Sequence, residues 1–525
     1  MFVLGGLVIS KHKGEDMSLK YDKSTAKYDM FEVSLEGPSG GNPYIEQSVS
    51  GVFRGAHEEK EVDGFYDGDG IYRVRFMPSF EGDYNFSIKA SFLDGEESGA
   101  FHATENRKEN HGVVRVSNTF HFSYDDGTRY IPSGTTCYVW ELQDEKVQKE
   151  TLESLASGPF NKIRFCLTPK HYVYNLTDPI SFPYEGTPVS CKEITKDNFL
   201  SYKGRPEGNN WDYKRFNPRH FQHIDECIVK LGEMGIEADL IVMHPYDRWG
   251  FSMMSEEEDD LYWKYVIARF SAYHNVWWSL ANEYDLFPTK TDRDWERFAS
   301  IICEKDKYSH LRSIHNCRSF YDYSRPWITH CSMQRIDLYK TTEDTDKYRE
   351  RWNKPVVWDE IAYEGNIQLK WGNITGKELV RRYWEAAIRG GYGQHSETLP
   401  DNDILWWSHG GKLHGESPER IRFLNNILQE GPECGLAPYT GIRDDIAGIP
   451  DSFITKNSPV QPYYLIYYGF FRPSFKEYHF DDESRMHVEV IDTWEMTVTD
   501  LGIHTGKIHI DLPGKEYMAV RITKV

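Results

Sequence analysis

Between about residue 112 and residue 435, short apolar runs of strand length alternate with amphipathic stretches of helical period. The candidate strands occupy residues 130–135, 162–167, 238–243, 275–281, 311–315, 327–330, 355–360 and 404–407. Several of these runs are apolar throughout, which is typical of strands buried on both faces of a parallel sheet. Strands and helices that alternate eight times are typical of a (β/α)8 barrel. We therefore predict an α/β fold with such a barrel over residues 112–435.

The segments on either side of this region have a different pattern. Residues 17–111 contain alternating strands separated by Gly- and Asp-rich turns, which predicts an N-terminal β-sandwich. Residues 436–525 contain further short strands, which predict a small C-terminal β-domain packed on the barrel. Residues 1–16 form an apolar leader without the basic start or the cleavage site of a signal peptide, and Met17 is an alternative start.

The overall charge and the cysteines narrow the classes of partner and compartment. The 525 residues carry a formal net charge of -21, which argues against binding to nucleic acid or to anionic membranes. The eight cysteines show neither the spacing of a metal site nor the pattern of a disulfide framework, so free thiols and a cytoplasmic location are predicted. Aromatic residues make up 15% of the chain, which favours a carbohydrate partner because aromatic faces stack on sugar rings.

Two predicted strands end in carboxylates at matching places. The fourth is followed by Asn282 and Glu283, and the seventh ends in Asp359 and Glu360. Because two further strands lie between them, the carboxylates should face each other across the C-terminal end of the barrel. A pair of carboxylates, one protonated and one ionised, is what cleavage of a glycosidic bond needs. Alternation along the strand leaves Asp359 open as the residue that faces the cleft, and Glu364 is a weaker third candidate.

These strand ends resemble those of clan A glycoside hydrolases. In that clan an Asn-Glu pair on the fourth strand carries the acid/base, and the seventh strand ends in the nucleophile. The resemblance implies that Glu283 is the acid/base and Glu360 the nucleophile of a retaining reaction. It also implies that Arg164 supports the nucleophile, that His244 contacts substrate and that Asn282 binds the sugar 2-hydroxyl.

Other motifs resemble an endoglucanase-like subgroup of the clan, in which a β-sandwich precedes the barrel and a small β-domain follows it. These motifs are residues 216–218 and residues 313–317, which include His315. The run from Trp406 and Trp407 to residue 411 resembles the clan's eighth-strand tryptophan, which floors the site. The clan often has a tyrosine shortly after a sixth-strand histidine. Here His330 is followed by Cys-Ser-Met, so the group that hydrogen-bonds the nucleophile stays open. Trp140 is a further candidate for a sugar subsite.

Each assignment has a structural alternative. Arg164 could form a buried ion pair, the three histidines could be satisfied core or rim residues, and the tryptophans could be core residues. A zinc site is disfavoured because no H-E-x-x-H motif is present, and no cofactor is predicted. The prediction is a retaining hydrolase acting on a β-linked glycoside or oligosaccharide. The alternatives are an exo-glycosidase for a less common sugar and a non-catalytic carbohydrate-binding protein.

Overall fold

The computed structural model describes residues 19–190, 192–204, 206–338, 340–442, 444–452 and 460–525. The leader predicted over residues 1–16 and the alternative start at Met17 lie outside the described residues.

The described chain begins with two sheets that share one core. Their strands are Ser24–Ala26, Phe31–Glu36, Val49–Arg54, Glu59–Asp63, Phe65–Tyr66, Ile71–Phe76, Gly82–Ala90 and Glu96–Thr104. The first, third, fourth, seventh and eighth of these form a five-stranded sheet, and the other three form a second sheet. Val33 and Val74 from one sheet pack in the same apolar cluster as Phe53 and Ile88 from the other. Alternation of inward and outward side chains explains why each strand contributes every second residue to this core.

The barrel consists of eight short parallel strands. They are Gly134–Thr136, Lys162–Cys166, Glu237–Met243, Val276–Ala281, Arg312–Ser313, Cys331–Gln334, Val356–Glu360 and Tyr392–His395. The first strand pairs with the second and the eighth, and pairing continues on both sides to the fifth and sixth. A single bridge between His315 and Ser332 joins those last two, so the barrel is nearly closed. Every residue of the second, third and fourth strands is buried, as expected for a parallel sheet that is covered on both faces.

The structure corrects three of the predicted barrel strands. The predicted eighth strand at 404–407 is wrong, because Trp406–His409 is a short helix and Tyr392–His395 is the eighth strand. A short apolar run is not specific for a strand, and the true strand was hidden by its polar residues. The sixth strand begins at Cys331, after the predicted 327–330. The first begins at Gly134, four residues after the predicted start at 130.

Helices cover the outside of the barrel. The longer ones are Glu145–Ser157, Pro218–Glu233, Glu256–Phe270, Asp292–Lys305, Thr345–Trp352, Gly376–Ile388 and Ser417–Gln429. Ser255 and Glu258 form a capping box at the start of the third of these. Glu416 is the N-cap of the last. In the part of the chain that is described, no helix has the length and apolar character needed to cross a bilayer.

A three-stranded antiparallel sheet covers the N-terminal end of the barrel. Its strands are Val114–Ser117, His121–Tyr124 and Arg129–Tyr130. Phe122 packs on Trp277, with ring centroids 5.5 Å apart, and both belong to a cluster that includes Leu311 and Val357. These barrel residues lie at or near the N-terminal ends of their strands. The opposite, C-terminal end (the barrel mouth) is the one at which barrel enzymes place their chemistry.

Buried ion pairs join the N-terminal sheets to the barrel helices. Arg75 Nη1 donates to Asp225 Oδ1 at 2.7 Å, and Arg269 Nη1 donates to Asp67 Oδ1 at 2.7 Å. All four residues are less than one-tenth exposed. Removing one partner of such a pair leaves an uncompensated buried charge, so the network fixes the relative position of the two parts.

The insert after the second barrel strand lies beside the mouth. Its strands Tyr184–Thr187 and Asn210–Phe216 pair antiparallel, and Phe199–Ser201 forms a 3-10 turn. The Gly204 amide donates to the Asp247 carbonyl at 2.7 Å, which ties the insert to the loop after the third strand. The insert therefore covers one edge of the mouth.

The C-terminal residues form a six-stranded sheet that packs on a barrel helix. Its strands are Leu436–Tyr439, Ala447–Pro450, Tyr463–Tyr467, Met486–Asp492, Thr497–His504 and Met518–Lys524, and Phe475–His479 pairs separately with Lys507–Asp511. Trp384 of the helix Gly376–Ile388 stacks on Tyr467 of this sheet, with ring centroids 5.4 Å apart.

Candidate active site

The two glutamates singled out from the sequence both lie at the barrel mouth. Glu283 follows directly on the fourth strand and its neighbour Asn282, and Glu360 is the last residue of the seventh strand. Their exposed fractions are 5% and 6%, so both carboxyl groups are nearly enclosed. A carboxyl group in such an enclosure depends on its immediate neighbours to set its charge.

Glu360 is bordered by a hydroxyl donor and a cation. The Tyr138 hydroxyl, which follows the first strand, donates to Glu360 Oε1. Arg164 Nη1 lies 3.9 Å from the same oxygen and donates to Asn282 Oδ1 at 2.8 Å. Tyr138 also lies 3.3 Å from Asn282 Oδ1. These contacts link the ends of the first, second, fourth and seventh strands in one network.

Glu283 is held by neutral donors. The Tyr246 hydroxyl donates to Glu283 Oε2. When the side-chain oxygen and nitrogen of Gln334 are assigned so that both find partners, its amide donates to Glu283 Oε1 at 3.0 Å and to the Asn316 carbonyl at 2.8 Å. The Glu283 backbone has a φ of 51°, which is the left-handed region that non-glycine residues seldom adopt. The chain turns sharply at this residue and directs its side chain into the mouth.

The pKa of Glu360 is shifted by burial and by the neighbouring carboxyl. Burial, and after it the charge of Glu283, raises the pKa of Glu360 from its ordinary value of 4.5 to about 7. Arg164 and the Tyr138 hydroxyl act in the opposite direction. The Glu360 carboxyl therefore changes its charge near neutral pH.

The other two carboxylate candidates have structural partners. Asp359 is 1% exposed and accepts from the Lys162 ammonium at 3.1 Å inside the barrel. Glu364 accepts from the backbone amides of Glu416 and Ser417, at 2.8 and 3.0 Å, at the start of a helix. Glu360 is thus the carboxylate of this segment that borders the mouth.

Aromatic rings form one wall of the site. Trp407 packs edge-to-face on Tyr138 at 5.1 Å, and Trp371 lies 4.7 Å from Trp407. Tyr172 lies 5.7 Å from Trp407, also measured between ring centroids. Beyond this wall, a cavity of about 480 Å³ is bordered by Tyr174 and by the loops after the seventh and eighth strands. The arrangement provides the flat apolar surfaces on which sugar rings stack.

The comparison with protein families decides the class of the barrel. Residues 118–418 match the family described as "Apiosidase-like, catalytic domain". The chain belongs to this family. A candidate glycoside hydrolase from Bacteroides vulgatus ATCC 8482 is 34% identical, with a TM-score of 0.87 over 96% of this chain and 100% of that one. The protein is a glycoside hydrolase.

More distant structures share the fold of the Apiosidase-like chain. A glycoside hydrolase family 5 protein from Bacteroides vulgatus ATCC 8482 is 15% identical, with a TM-score of 0.57 over 79% of this chain and 94% of that one. Another glycoside hydrolase is 15% identical, with a TM-score of 0.56 over 79% and 97%. Residues 24–91 and 454–523 match domains of unknown function, DUF5060 and DUF5605. The comparison with curated proteins found no match to this chain.

The structure brings most of the predicted side chains of the Apiosidase-like domain to the mouth. Arg164 and Asn282 contact each other beside Glu360. His244 Nε2 lies 3.0 Å from Thr168 Oγ1, and burial lowers the pKa of His244 to about 3, so the ring is neutral. His315 follows the fifth strand, and its backbone amide donates to the carbonyl of Ala281 at 3.1 Å. Their roles toward substrate stay predictions.

His330 lies elsewhere, and its placement is corrected here. His330 precedes the sixth strand and packs on Phe122 and Trp277 at the covered N-terminal end. A histidine that precedes a parallel strand lies at the opposite end from one that follows it. Trp140 is completely buried in the main core, and Trp406 is 1% exposed there.

Three contacts in this family's site were not foreseen from the sequence. The Tyr138 hydroxyl donates to Glu360. The sequence has no tyrosine shortly after His330, so it had left open which group makes this hydrogen bond. Tyr246 and Gln334 hold Glu283. All three follow or end a barrel strand, so correct strand ends would have pointed to them. Among the described residues, no group of three or more His, Cys, Asp or Glu is arranged to hold a metal ion.

Proposed function

We propose that this glycoside hydrolase is a retaining enzyme that cleaves a β-linked glycoside or oligosaccharide, with Glu360 as nucleophile and Glu283 as acid/base. The observation that carries the proposal is the difference between the two carboxyl environments. Glu360 faces the Arg164 cation and a tyrosine hydroxyl, which favour a carboxylate. Glu283 accepts hydrogen bonds from the neutral donors Tyr246 and Gln334.

Two sets of neighbours act on the pKa of Glu360 in opposite directions. Burial and the negative charge of Glu283 raise it, whereas the Arg164 cation and the Tyr138 hydroxyl lower it. Double displacement begins with Glu360 ionised and Glu283 protonated. The contacts from Arg164 and Tyr138 support the ionised form of Glu360.

The reaction follows from these positions. Glu360 attacks the anomeric carbon while the Glu283 proton passes to the leaving oxygen, which breaks the glycosidic bond and forms a glycosyl ester on Glu360. Glu283, now ionised, takes a proton from water as the water oxygen attacks the same carbon. The ester bond breaks, Glu360 is released as a carboxylate and Glu283 is protonated again.

Two nearby side chains have nitrogen atoms free for a substrate. Asn282 Oδ1 is occupied by Arg164, whereas its buried Nδ2 has no hydrogen-bond partner among the described residues. This nitrogen suits the sugar 2-hydroxyl. His244 Nδ1 is buried and also has no partner within that described part of the chain. A buried polar atom without a partner is costly, so a bound substrate would relieve both.

A second candidate concerns the sugar. The family model takes its name from an apiosidase, which favours an exo-acting enzyme for glycosides of a less common sugar such as apiose. A screen of aryl β-glycosides, including the apioside, together with oligosaccharides separates the two candidates. Release of single sugars from one chain end indicates exo action, and internal cleavage indicates endo action.

The role of Glu360 is tested by removing its carboxylate. Glu360→Ala should lose hydrolysis of the substrate found in the screen, and added azide should restore turnover by forming a glycosyl azide of inverted configuration. If Glu360→Ala keeps near-normal rates, the assignment is wrong. Glu364→Ala is a matched control for general damage near the seventh strand, because Glu364 caps a helix and does not border the glutamate pair.

Two further statements belong to the same proposal. We infer that the chain is a clan A enzyme of the endoglucanase-like subgroup, with a β-sandwich before the barrel and a β-domain after it. This is supported by the two N-terminal sheets and the C-terminal six-stranded sheet. We also propose a cytoplasmic location, which is supported by the seven described cysteines being free thiols.

A further inference from the structure

Lys170 places a buried ammonium group among the rings of the site. The residue is 2% exposed. Its Nζ lies 3.1 Å from the ring centroid of Tyr138, 4.4 Å from that of Tyr246 and 4.5 Å from that of Trp407. Tyr138 donates to Glu360 and Tyr246 donates to Glu283. The ammonium therefore lies between the two tyrosines that hold the two glutamates.

Within the described part of the chain, the Lys170 ammonium is bordered by ring faces and has no oxygen acceptor. None of the described residues accepts a hydrogen bond from Lys170 Nζ, and no carboxylate oxygen among them lies within 4.0 Å of it. Cation–π contacts offset part of the loss of water. An ammonium has three N–H donors, and an oxygen acceptor completes them in a way that ring faces do not.

A second buried lysine of the barrel shows what a structural role looks like. Lys162 is completely buried, and its ammonium donates to Asp239 at 2.7 Å and to Asp359 at 3.1 Å. The lysine that has a structural role in this barrel is thus paired with two carboxylates. Lys170 is the contrasting case, since its ammonium lies against the rings of Tyr138, Tyr246 and Trp407 and contacts no carboxylate of the described residues.

The local charge also favours an incoming oxygen. Burial lowers the pKa of Lys170 to about 8, while Glu283 and Glu360 act in the opposite direction, so the amine is mostly charged at neutral pH. Lys203, from the insert, lies 4.8 Å from the Tyr246 ring centroid. In a chain with a net charge of -21, two lysines thus border one tyrosine of the active site.

We propose that Lys170 is a specificity-determining residue whose ammonium binds an oxygen of the sugar that lies against Glu283 and Glu360. This inference rests on the proposed function for the position of the sugar. The acceptor is a hydroxyl or a carboxylate oxygen, because both complete the hydrogen bonds of an ammonium. Aromatic rings around the nitrogen hold it in place, so binding needs little rearrangement of the side chain.

Binding without turnover tests this directly. A panel of immobilised neutral and uronic-acid-containing glycans is probed with Glu360→Gln, Glu360→Gln/Lys170→Met, and Glu360→Gln/Lys170→Arg. The methionine variant should bind the glycans of Glu360→Gln with an affinity that is roughly ten- to a hundredfold lower. The arginine variant should recover part of that affinity. Loss on all glycans identifies a hydroxyl acceptor, and loss confined to the acidic glycans identifies a carboxylate.

The controls separate this role from a structural one. Lys149 lies 77% exposed on an outer helix, so Glu360→Gln/Lys149→Met should bind like Glu360→Gln. Removing an unpaired buried charge should leave the melting temperature equal or higher, whereas loss of a structural lysine lowers it. Equal binding with methionine at position 170, or no glycan binding by Glu360→Gln itself, overturns the proposal.

The outcome is also distinct from failure of the proposed mechanism. If Glu360→Ala remains active while the methionine variant loses its glycans, the nucleophile is misassigned and the role of Lys170 stands. If Glu360→Ala is inactive and rescued by azide while glycan binding is unchanged in the methionine variant, the mechanism stands and the role of Lys170 is refuted.

Discussion

Tyr138 donates its hydroxyl hydrogen to Glu360 across the barrel mouth, from the end of the first strand to the end of the seventh. The sequence has no tyrosine shortly after His330, and the Tyr138 phenol is the hydroxyl that hydrogen-bonds Glu360. The same hydroxyl lies 3.3 Å from Asn282 Oδ1, so it connects Glu360 to the residue beside Glu283.

Replacing this phenol tests its effect on the nucleophile. Because the Tyr138 hydrogen bond lowers the pKa of Glu360, Tyr138→Phe should raise that pKa and move the acidic limb of the kcat/KM profile to higher pH. The loss in kcat/KM should be roughly ten- to a hundredfold. Tyr439→Phe, in the C-terminal sheet, is the control that should change neither quantity. An unshifted acidic limb in Tyr138→Phe would refute the contact.

The acid/base role of Glu283 predicts a dependence on the leaving group. Glu283→Gln should lose roughly 10²–10⁴ in rate on glycosides whose leaving group needs a proton. Aryl glycosides with acidic phenols should keep a fast first step, and azide should accelerate the second because it needs no base. The measurement is kcat/KM across a series of aryl leaving groups. An equal loss across the series contradicts the assignment.

The pKa of Glu360 predicts how stability changes with pH. Its value rises from 4.5 in the unfolded chain to about 7 in the folded one, so the folded state holds the proton more tightly. This stabilising contribution is complete below about pH 4.5 and is lost as the pH rises through 7. Glu360→Gln has no such contribution. The free energy of unfolding of the variant, relative to that of wild type, should therefore increase by about 3 kcal/mol from pH 4.5 to pH 8.

Urea unfolding at several pH values measures this difference. Glu226→Gln, at a side chain that is 67% exposed on the outer surface, is the matched control and should follow wild type at each pH. A constant difference between Glu360→Gln and wild type would mean that the folded carboxyl is not perturbed.

Replacing Lys162, in the barrel interior, should lower the stability of the fold, whereas replacing Lys170 should not. Lys162→Met leaves Asp239 and Asp359 without their common cation, so it should lower the free energy of unfolding by roughly 3–5 kcal/mol. Thermal or urea unfolding measures the loss, with Lys149→Met as the exposed control. Unchanged stability of Lys162→Met would show that these ion pairs contribute little.

The sequence predicted the part of the site that local pattern controls. Glu283 and Glu360 follow apolar runs, and a buried strand with a polar end indicates both the barrel and the position of the carboxylates. Arg164 lies inside such a run, where a charged residue stands out. These inferences need only one strand at a time.

What escaped prediction depends on the register and closure of the barrel. Tyr138 reaches Glu360 because the first strand, between the second and the eighth, starts at Gly134 and not at 130. His330 was assigned to the wrong end because its strand begins one residue after it. The surroundings of Lys170 could not be predicted, because the three rings near its ammonium come from distant segments of the chain. Pairing between distant strands is not encoded in local periodicity.

The central claim, retention through a glycosyl ester on Glu360, is tested most directly by the anomer that forms first. Proton NMR of the wild-type reaction on its β-glycoside substrate, recorded before mutarotation, should show the β-anomer of the released sugar ahead of the α-anomer. Initial appearance of the α-anomer would mean inversion by direct attack of water and would contradict the account.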